Sequence, residues 1–290
     1  MHAPAKLLVG LDFGPTTEAT LETASLLASR LDGELLLSHA IEYVPRSYGV
    51  DFAEEKEVLR HVNESLTQRC EALRSTGITA EAMPARFGSA LTLLLEDMED
   101  TGATALVLGV GEQGLIKRLF LGTNAEKLVR TSPWPVFLRH PADAEEDFRS
   151  LLCAVDFSDH AKRTLANAAD FAREFGSELH VLHVEQPPVV YPGTQVPLYV
   201  HPPPSTTDLQ AQLDAFIAEV DTRGIPVTTH LTTGKPGEEI IRRVVELKPG
   251  LLVLGKHGQG GVIDRLIGGV ATHILRNLPC SLLVIGERDL

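Results

Sequence analysis

Glycines set the first chemical constraint. From Leu251 to Cys280 the chain reads LLVLGKHGQGGVIDRLIGGVATHILRNLPC, which places Gly255, Gly258, Gly268 and Gly269 at the spacing G-x2-G-x9-G-G. An apolar run ends at Gly255, and helical periodicity resumes after Gly269 with Val270, Ile274, Leu275 and Leu278 along one face. Glycine lets a backbone approach a ligand closely and adopt positive φ. The exposed N–H groups of such a loop, with the N-terminus of the helix that follows, make an anion site, and phosphate is its natural guest. The spacing is neither that of the P-loop, with its terminal Gly-Lys-Ser/Thr, nor the dinucleotide G-x-G-x-x-G. Lys256 lies inside the loop, and Lys235 in TGKPGEE follows an earlier apolar run; each fits either a solvated loop charge or a phosphate contact.

Other polar residues admit fewer roles. Asp12 and Asp156 each end an apolar run before a helical pattern, where an acid serves as a ligand contact or as a helix cap; for Asp12 the cap is favoured. His39 and His183 recur at matching positions and suit a structural hydrogen bond at a strand end. His180 and His183, three apart on a strand, point to opposite faces and cannot share one ion. His257 in Gly-Lys-His-Gly belongs to the contact surface of the loop. Neither H-E-x-x-H nor a G-x-S-x-G elbow is present, so no metalloprotease or serine hydrolase is indicated, and no metal site is expected. Cys70, Cys153 and Cys280 are an odd, widely spaced set without C-x-x-C, which fits a reducing cytoplasm. Cys153, in a strand, is expected to be an inert core thiol.

The elements that must position these residues are written twice. LLVGLDF at Leu7–Phe13 recurs as LLCAVDF at Leu151–Phe157, and ELLLSHA from Glu34 returns as ELHVLHV from Glu178. Leu106–Pro133 aligns without gaps on Leu252–Pro279, pairing Gly109 with Gly255, Gly122 with Gly268 and Pro133 with Pro279. A period this long is a duplicated domain rather than a solenoid, and residues 1–142 and 148–290 are the two expected domains.

Each half alternates short apolar runs with amphipathic stretches, the pattern of a parallel sheet covered by helices. Five strands are predicted per half. The first set lies near Lys6–Leu11, Glu34–Ala40, Ile78–Met83, Ala105–Leu108 and Val136–Leu138; the second lies near Leu151–Val155, Glu178–Val184, Pro226–Leu231, Leu251–Leu254 and Ser281–Ile285. Right-handed crossovers through helices make each half a doubly wound, Rossmann-like α/β layer with its crevice beyond the carboxyl ends of the strands. His140–Ser150 is polar and acidic, as expected of an exposed linker, and the terminal apolar runs PVFL and SLLVI are suited to pair or pack against each other. Pro187–Pro204, with Tyr191 and Tyr199, is an extended surface loop, or else a lid or a dimer arm over the crevice.

Composition narrows the partners. The chain has 290 residues, 43% hydrophobic and 22% charged, which is ordinary globular chemistry. With 26 basic against 39 acidic residues the formal charge is −13, and each half holds the same number of basic residues, so a nucleic acid meets net repulsion. No run of eighteen apolar residues supports a membrane span. A cytoplasmic protein is expected.

The glycine spacing after a fourth strand, in a unit whose first strand ends in Val155-Asp156-Phe157-Ser158, resembles the ATP-binding pattern of the universal stress protein family, G-x2-G-x9-G-[Ser/Thr]. The resemblance extends once over each half, as in a tandem universal stress protein. It implies five-stranded parallel sheets in the order 3-2-1-4-5 and a dimer through the last strand, formed here between the halves as a pseudo-dimer, with a homodimer also open. It implies ATP, with or without Mg2+, as the ligand of a sensor or regulator rather than an enzyme, though not to the exclusion of slow ATPase activity. Asp156 would border adenine and ribose and Val184 contact the base; Gly255, Gly258, Gly268 and Gly269 would cradle the phosphates, with Phe157, Ser158, Lys256, His257 and Val270 completing the site.

Two departures from the pattern matter. In the first half it reads Gly109-x2-Glu112-x9-Gly122-Thr123, so a carboxylate replaces the second glycine and the site, with Asp12, is expected to be degenerate. In the second half Gly269 replaces the Ser or Thr, which removes a hydroxyl but keeps the backbone donor. These departures also fit a second reading, a nucleotide-free scaffold or interaction module of the same fold.

Overall fold

The computed structural model describes residues 5–42, 52–113, 118–120, 123–141, 148–186, 205–258 and 268–290. Contacts divide the chain into two units, Met1–Glu146 with Ser281–Leu290, and Asp147–Cys280. The proline-rich segment 187–204 lies outside the described residues.

The first unit runs β1 (Lys6–Gly10), α1 (Thr17–Arg30), β2 (Glu34–Ser38), β3 (Ala40–Ile41), α2 (Phe52–Ser75), β4 (Ala80–Ala82), β5 (Arg86–Phe87), α3 (Ala90–Thr101), β6 (Ala105–Gly109), β7 (Gly111–Gln113), β8 (Arg118–Phe120), α4 (Thr123–Thr131) and β9 (Val136–Arg139). The second comprises β10 (Ser150–Val155), α5 (Asp159–Phe175), β11 (Glu178–Glu185), α6 (Thr206–Ala218), β12 (Val227–Thr233), α7 (Pro236–Leu247), β13 (Leu251–Gly255) and α8 (Gly269–Asn277). The last strand, β14 (Leu282–Ile285), belongs to the first unit.

In the first unit the sheet order is β4-β2-β1-β6-β9-β14, and β14 alone runs antiparallel, on β9. The first five strands thus follow 3-2-1-4-5. The two terminal apolar runs expected to pair are β9 and β14, joined in the register Leu282 to Leu138 and Val284 to Val136. In the second unit β12-β11-β10-β13 are all parallel, the order 3-2-1-4. Leu7, Leu8 and Val9 of β1 and Leu151, Leu152 and Cys153 of β10 are buried in succession, the signature of strands covered on both faces.

The helices bury the faces that the periodicity marks. Leu21, Ala24, Leu27 and Ala28 of α1 point inward, as do Leu165, Ala168, Phe171 and Ala172 of α5. Ser158 caps α5 by accepting from Ala161 N at 3.1 Å, and Gly176 ends it in the left-handed conformation at φ 68°.

The expected linker departs from its polar reading at both ends. Phe148 is fully buried, edge-on to Phe171 and Phe175 at 5.5 and 5.3 Å, and His140 is buried with its N–H donating to Ser281 Oγ.

Candidate functional site

Both first strands end in the same local device. Asp156 Oδ1 accepts from Ser158 N at 3.1 Å and from Ser158 Oγ at 2.6 Å, while Asp12 Oδ1 accepts from Gly14 N at 2.7 Å. These are Asx-type turns. The cap reading of the two acids is therefore corrected: the N-cap of α5 is Ser158 and that of α1 is Thr16, and each acid braces the turn that leads into its helix.

The residue after each acid takes the left-handed region, Phe13 at φ 53° and Phe157 at φ 62°. Such a backbone is uncommon outside glycine and here is held by ring contact. Phe157 stacks on His183 with centroids 4.0 Å apart, and Phe13 meets His39 at 4.6 Å. His183 Nδ1 donates to Val155 O at 3.0 Å and His39 Nδ1 to Leu11 O at 2.7 Å, so both histidines tie the second strand of their unit to the end of the first.

At the carboxyl ends of β10, β11 and β13 these turns frame a crevice of about 560 Å³. That volume lies within the ~300–1,000 Å³ usual for small-molecule sites. Asp156, Val184, Gly255, Lys256, His257, Gly258, Gly268, Gly269 and Val270 all line it. Two expected contacts fall elsewhere: Phe157 packs against His183 and Phe216, and Ser158 is occupied as the cap of α5.

The glycines are placed by close approach. A Cβ on Gly258 would stand 2.2 Å from Asp156 Oδ2, so the loop passes directly against the acid of the first strand. At Gly269, by contrast, a Cβ would meet nothing within 4 Å. Gly268 is the N-cap of α8 without a side-chain bond to the first turn, which leaves that turn's N–H groups directed at the crevice.

Lysine placement separates the two alternatives. Lys256 is a wall residue, 2% exposed, rather than a solvated loop charge. Lys235 is 81% exposed at its side chain, pairs with Glu238 at 3.0 Å and stands outside the crevice; its neighbour Pro236 and Ile240 of α7 line it instead. The periodicity of α7 carried the signal for Ile240. Glu185 and Gln186 are further wall residues at the end of β11.

The first unit holds a smaller crevice of about 350 Å³ at the corresponding strand ends, with Asp12 and Gly109 in its wall. Glu112 lies in β7, its backbone paired with Leu119, and Thr123 opens α4; Gly122 and the side chains of Glu112 and Thr123 fall outside the described residues.

Elsewhere His180 Nδ1 faces His230 Nε2 at 3.0 Å, away from His183. Among the described residues no three His, Cys, Asp or Glu side chains gather to hold a metal, and no described helix is long and apolar enough to cross a membrane. Burial pushes the Cys153 thiol up to about 12, as suits a core thiol.

Fold and crevice together define a doubly wound α/β protein with a hollow at the strand ends. The sequence matches the Universal stress protein family over residues 5–139 and again over 147–286, and the chain belongs to that family, carrying it in tandem. A universal stress protein of Thermus aquaticus is 29% identical over 143 residues, 48% of this chain and 98% of its own. One of Mycobacterium tuberculosis (strain ATCC 25618 / H37Rv) is 23% identical over 253 residues, 83% of this chain and 80% of its own. Among solved structures, a universal stress protein from Archaeoglobus fulgidus DSM 4304 superposes with a TM-score of 0.77 at 22% identity, covering 99% of this chain and 100% of that one. A putative universal stress protein from Pseudomonas aeruginosa UCBPP-PA14 gives 0.70 at 19% identity, covering 98% and 93%. These structural likenesses speak to the fold.

Proposed function

We propose that the protein binds ATP or a related adenine nucleotide in the crevice of its second unit and acts in the stress response as a sensor or regulator rather than a catalyst. The observation that carries this reading is convergence: residues separated by over a hundred positions in sequence, from Asp156 to Val270, form the walls of one hollow. Asp156 and Val184 are the contacts for ribose and base. The backbone at Gly255, Gly258, Gly268 and Gly269 supplies N–H donors to the phosphates, with the positive end of the α8 dipole behind them. Lys256 adds a cation where the anionic tail would lie. If Mg2+ accompanies the nucleotide, it neutralises phosphate charge and takes no protein ligand in this reading.

Calorimetric titration of the full chain with Mg·ATP tests it. One micromolar site, abolished by Gly258→Glu, is expected, since the new carboxylate would collide with Asp156 and face the phosphates. No heat at millimolar nucleotide overturns the reading in favour of a nucleotide-free scaffold.

A further inference from the structure

The two crevices occupy the same place in their units and differ in the cations their described walls offer. Extending the repeat alignment sets Val110 opposite Lys256, Gly111 opposite His257 and Glu42 opposite Gln186. The second crevice includes Lys256, His183 and His257 in its walls beside the carboxylates Asp156 and Glu185. Among the described wall residues of the first, Asp12 is the one ionisable group, and Val110, where the lysine would be, is a buried apolar residue.

A second carboxylate guards the first crevice. Glu42 Oε1 accepts from Asn124 Nδ2 at 2.7 Å and more weakly from Ala90 N at 3.5 Å, and Asn124 and Ala90 both belong to the crevice wall. Ala90 opens α3 and Asn124 lies in the first turn of α4, so the chain's own carboxylate already holds the position that a ligand's anion would take at these helix starts. An entering phosphate would meet Glu42 and Asp12 with no cation from the described wall.

What remains suits a ligand that donates hydrogen bonds and carries no negative charge. Leu94, Leu108 and Leu128 give apolar surface for a flat ring, and the Asp12 carboxylate accepts from hydroxyls. We propose that the crevice of the first unit is a second binding site, for an uncharged nucleoside, and that Glu42 sets its selectivity against nucleotides. The site does not require the second unit to bind ATP.

The test is calorimetric titration of the full-length Gly258→Glu protein with adenosine and with AMP. Adenosine is expected to bind at one site, with AMP weaker by about tenfold or more, the scale of one charge–charge repulsion near a surface. Glu42→Lys should narrow that preference by about tenfold. Ala125→Phe, which fills the crevice from α4, should abolish the adenosine heat. AMP binding as tightly as adenosine, a preference unmoved by Glu42→Lys, adenosine heat that survives Ala125→Phe, or no adenosine heat at millimolar concentration would each overturn the proposal. Should Gly258→Glu not fold, the same titrations on the parent chain with ATP in excess read the first unit alone. Loss of ATP binding with adenosine binding retained sinks the function proposed for the second unit and leaves this one standing.

Discussion

Lys256 lies in the wall of the second crevice at 2% exposure, beside the glycines proposed to hold the phosphates. Its contribution should therefore grow with ligand charge. Lys256→Met is expected to weaken ATP by about tenfold or more and AMP by less, read by titration of both ligands; equal losses for the two would assign the lysine a purely structural role. Gly269 offers the converse case. A Cβ there meets nothing, so Gly269→Ser should leave the thermal midpoint unchanged and return the hydroxyl typical of the family pattern, tightening ATP by about threefold, the worth of one modest hydrogen bond. Weaker binding by the serine variant would show that the phosphates do not pass this turn. Glycine positions were legible because a close backbone approach is written directly in residue type: Gly258 must lack a Cβ where Asp156 stands against it. The burial of Lys256 was not legible, since a lysine beside glycines in a loop reads as solvated until the fold closes over it.

At the scale of the element, strands β11 and β12 bring together two histidines that the sequence places fifty residues apart. His230 sits below its ordinary value near 6.5, first because burial disfavours its charged form and then because Arg243 and His180 repel a proton; Glu246 opposes them, and Glu178 lies 3.9 Å from His180 on its outer side. With the folded value below the unfolded one, the unfolded chain binds the extra proton. Stability is then full above about pH 6.5 and falls as the pH drops from there toward the folded value. Thermal melts from pH 8 to pH 5 should show this loss in the parent and a flatter profile in His230→Gln; identical profiles would remove the histidine pair from the acid response. The main strands and crossover helices were legible because continuous apolar runs and helical faces extend over enough residues to establish a period. The ladders β3 with β5 and β7 with β8 were not, because two or three residues carry no periodicity and their pairing is decided by tertiary contact. Crevice residues divided the same way: strand-end Asp156 and Val184 came with the resemblance to the family pattern, whereas Pro236 became a wall residue through the packing of α7.

For the molecule as a whole, the carboxyl terminus adds a strand to the sheet of the first unit. Strand β14 forms its antiparallel ladder with β9, and the residues around it anchor in the first unit. Arg288 N donates to Pro133 O at 2.9 Å, and the Arg288 guanidinium lies 4.4 Å from the Trp134 ring centroid and 3.5 Å from Glu99. Leu282, Leu283, Val284 and Ile285 are all buried. At ~1.5–3 kcal/mol for each such side chain, an upper bound near 6–12 kcal/mol rests on this strand, comparable with the whole stability of a typical domain. Trp134 is the single tryptophan, so its emission reports the first unit specifically. A chain ending at Cys280 is expected to show red-shifted Trp134 emission and a lower fluorescence midpoint, both recovered on adding a peptide of residues 281–290. Unchanged emission and midpoint in the shortened chain would mean that the first unit closes its sheet without β14, and that the ladder contributes far less than its burial implies.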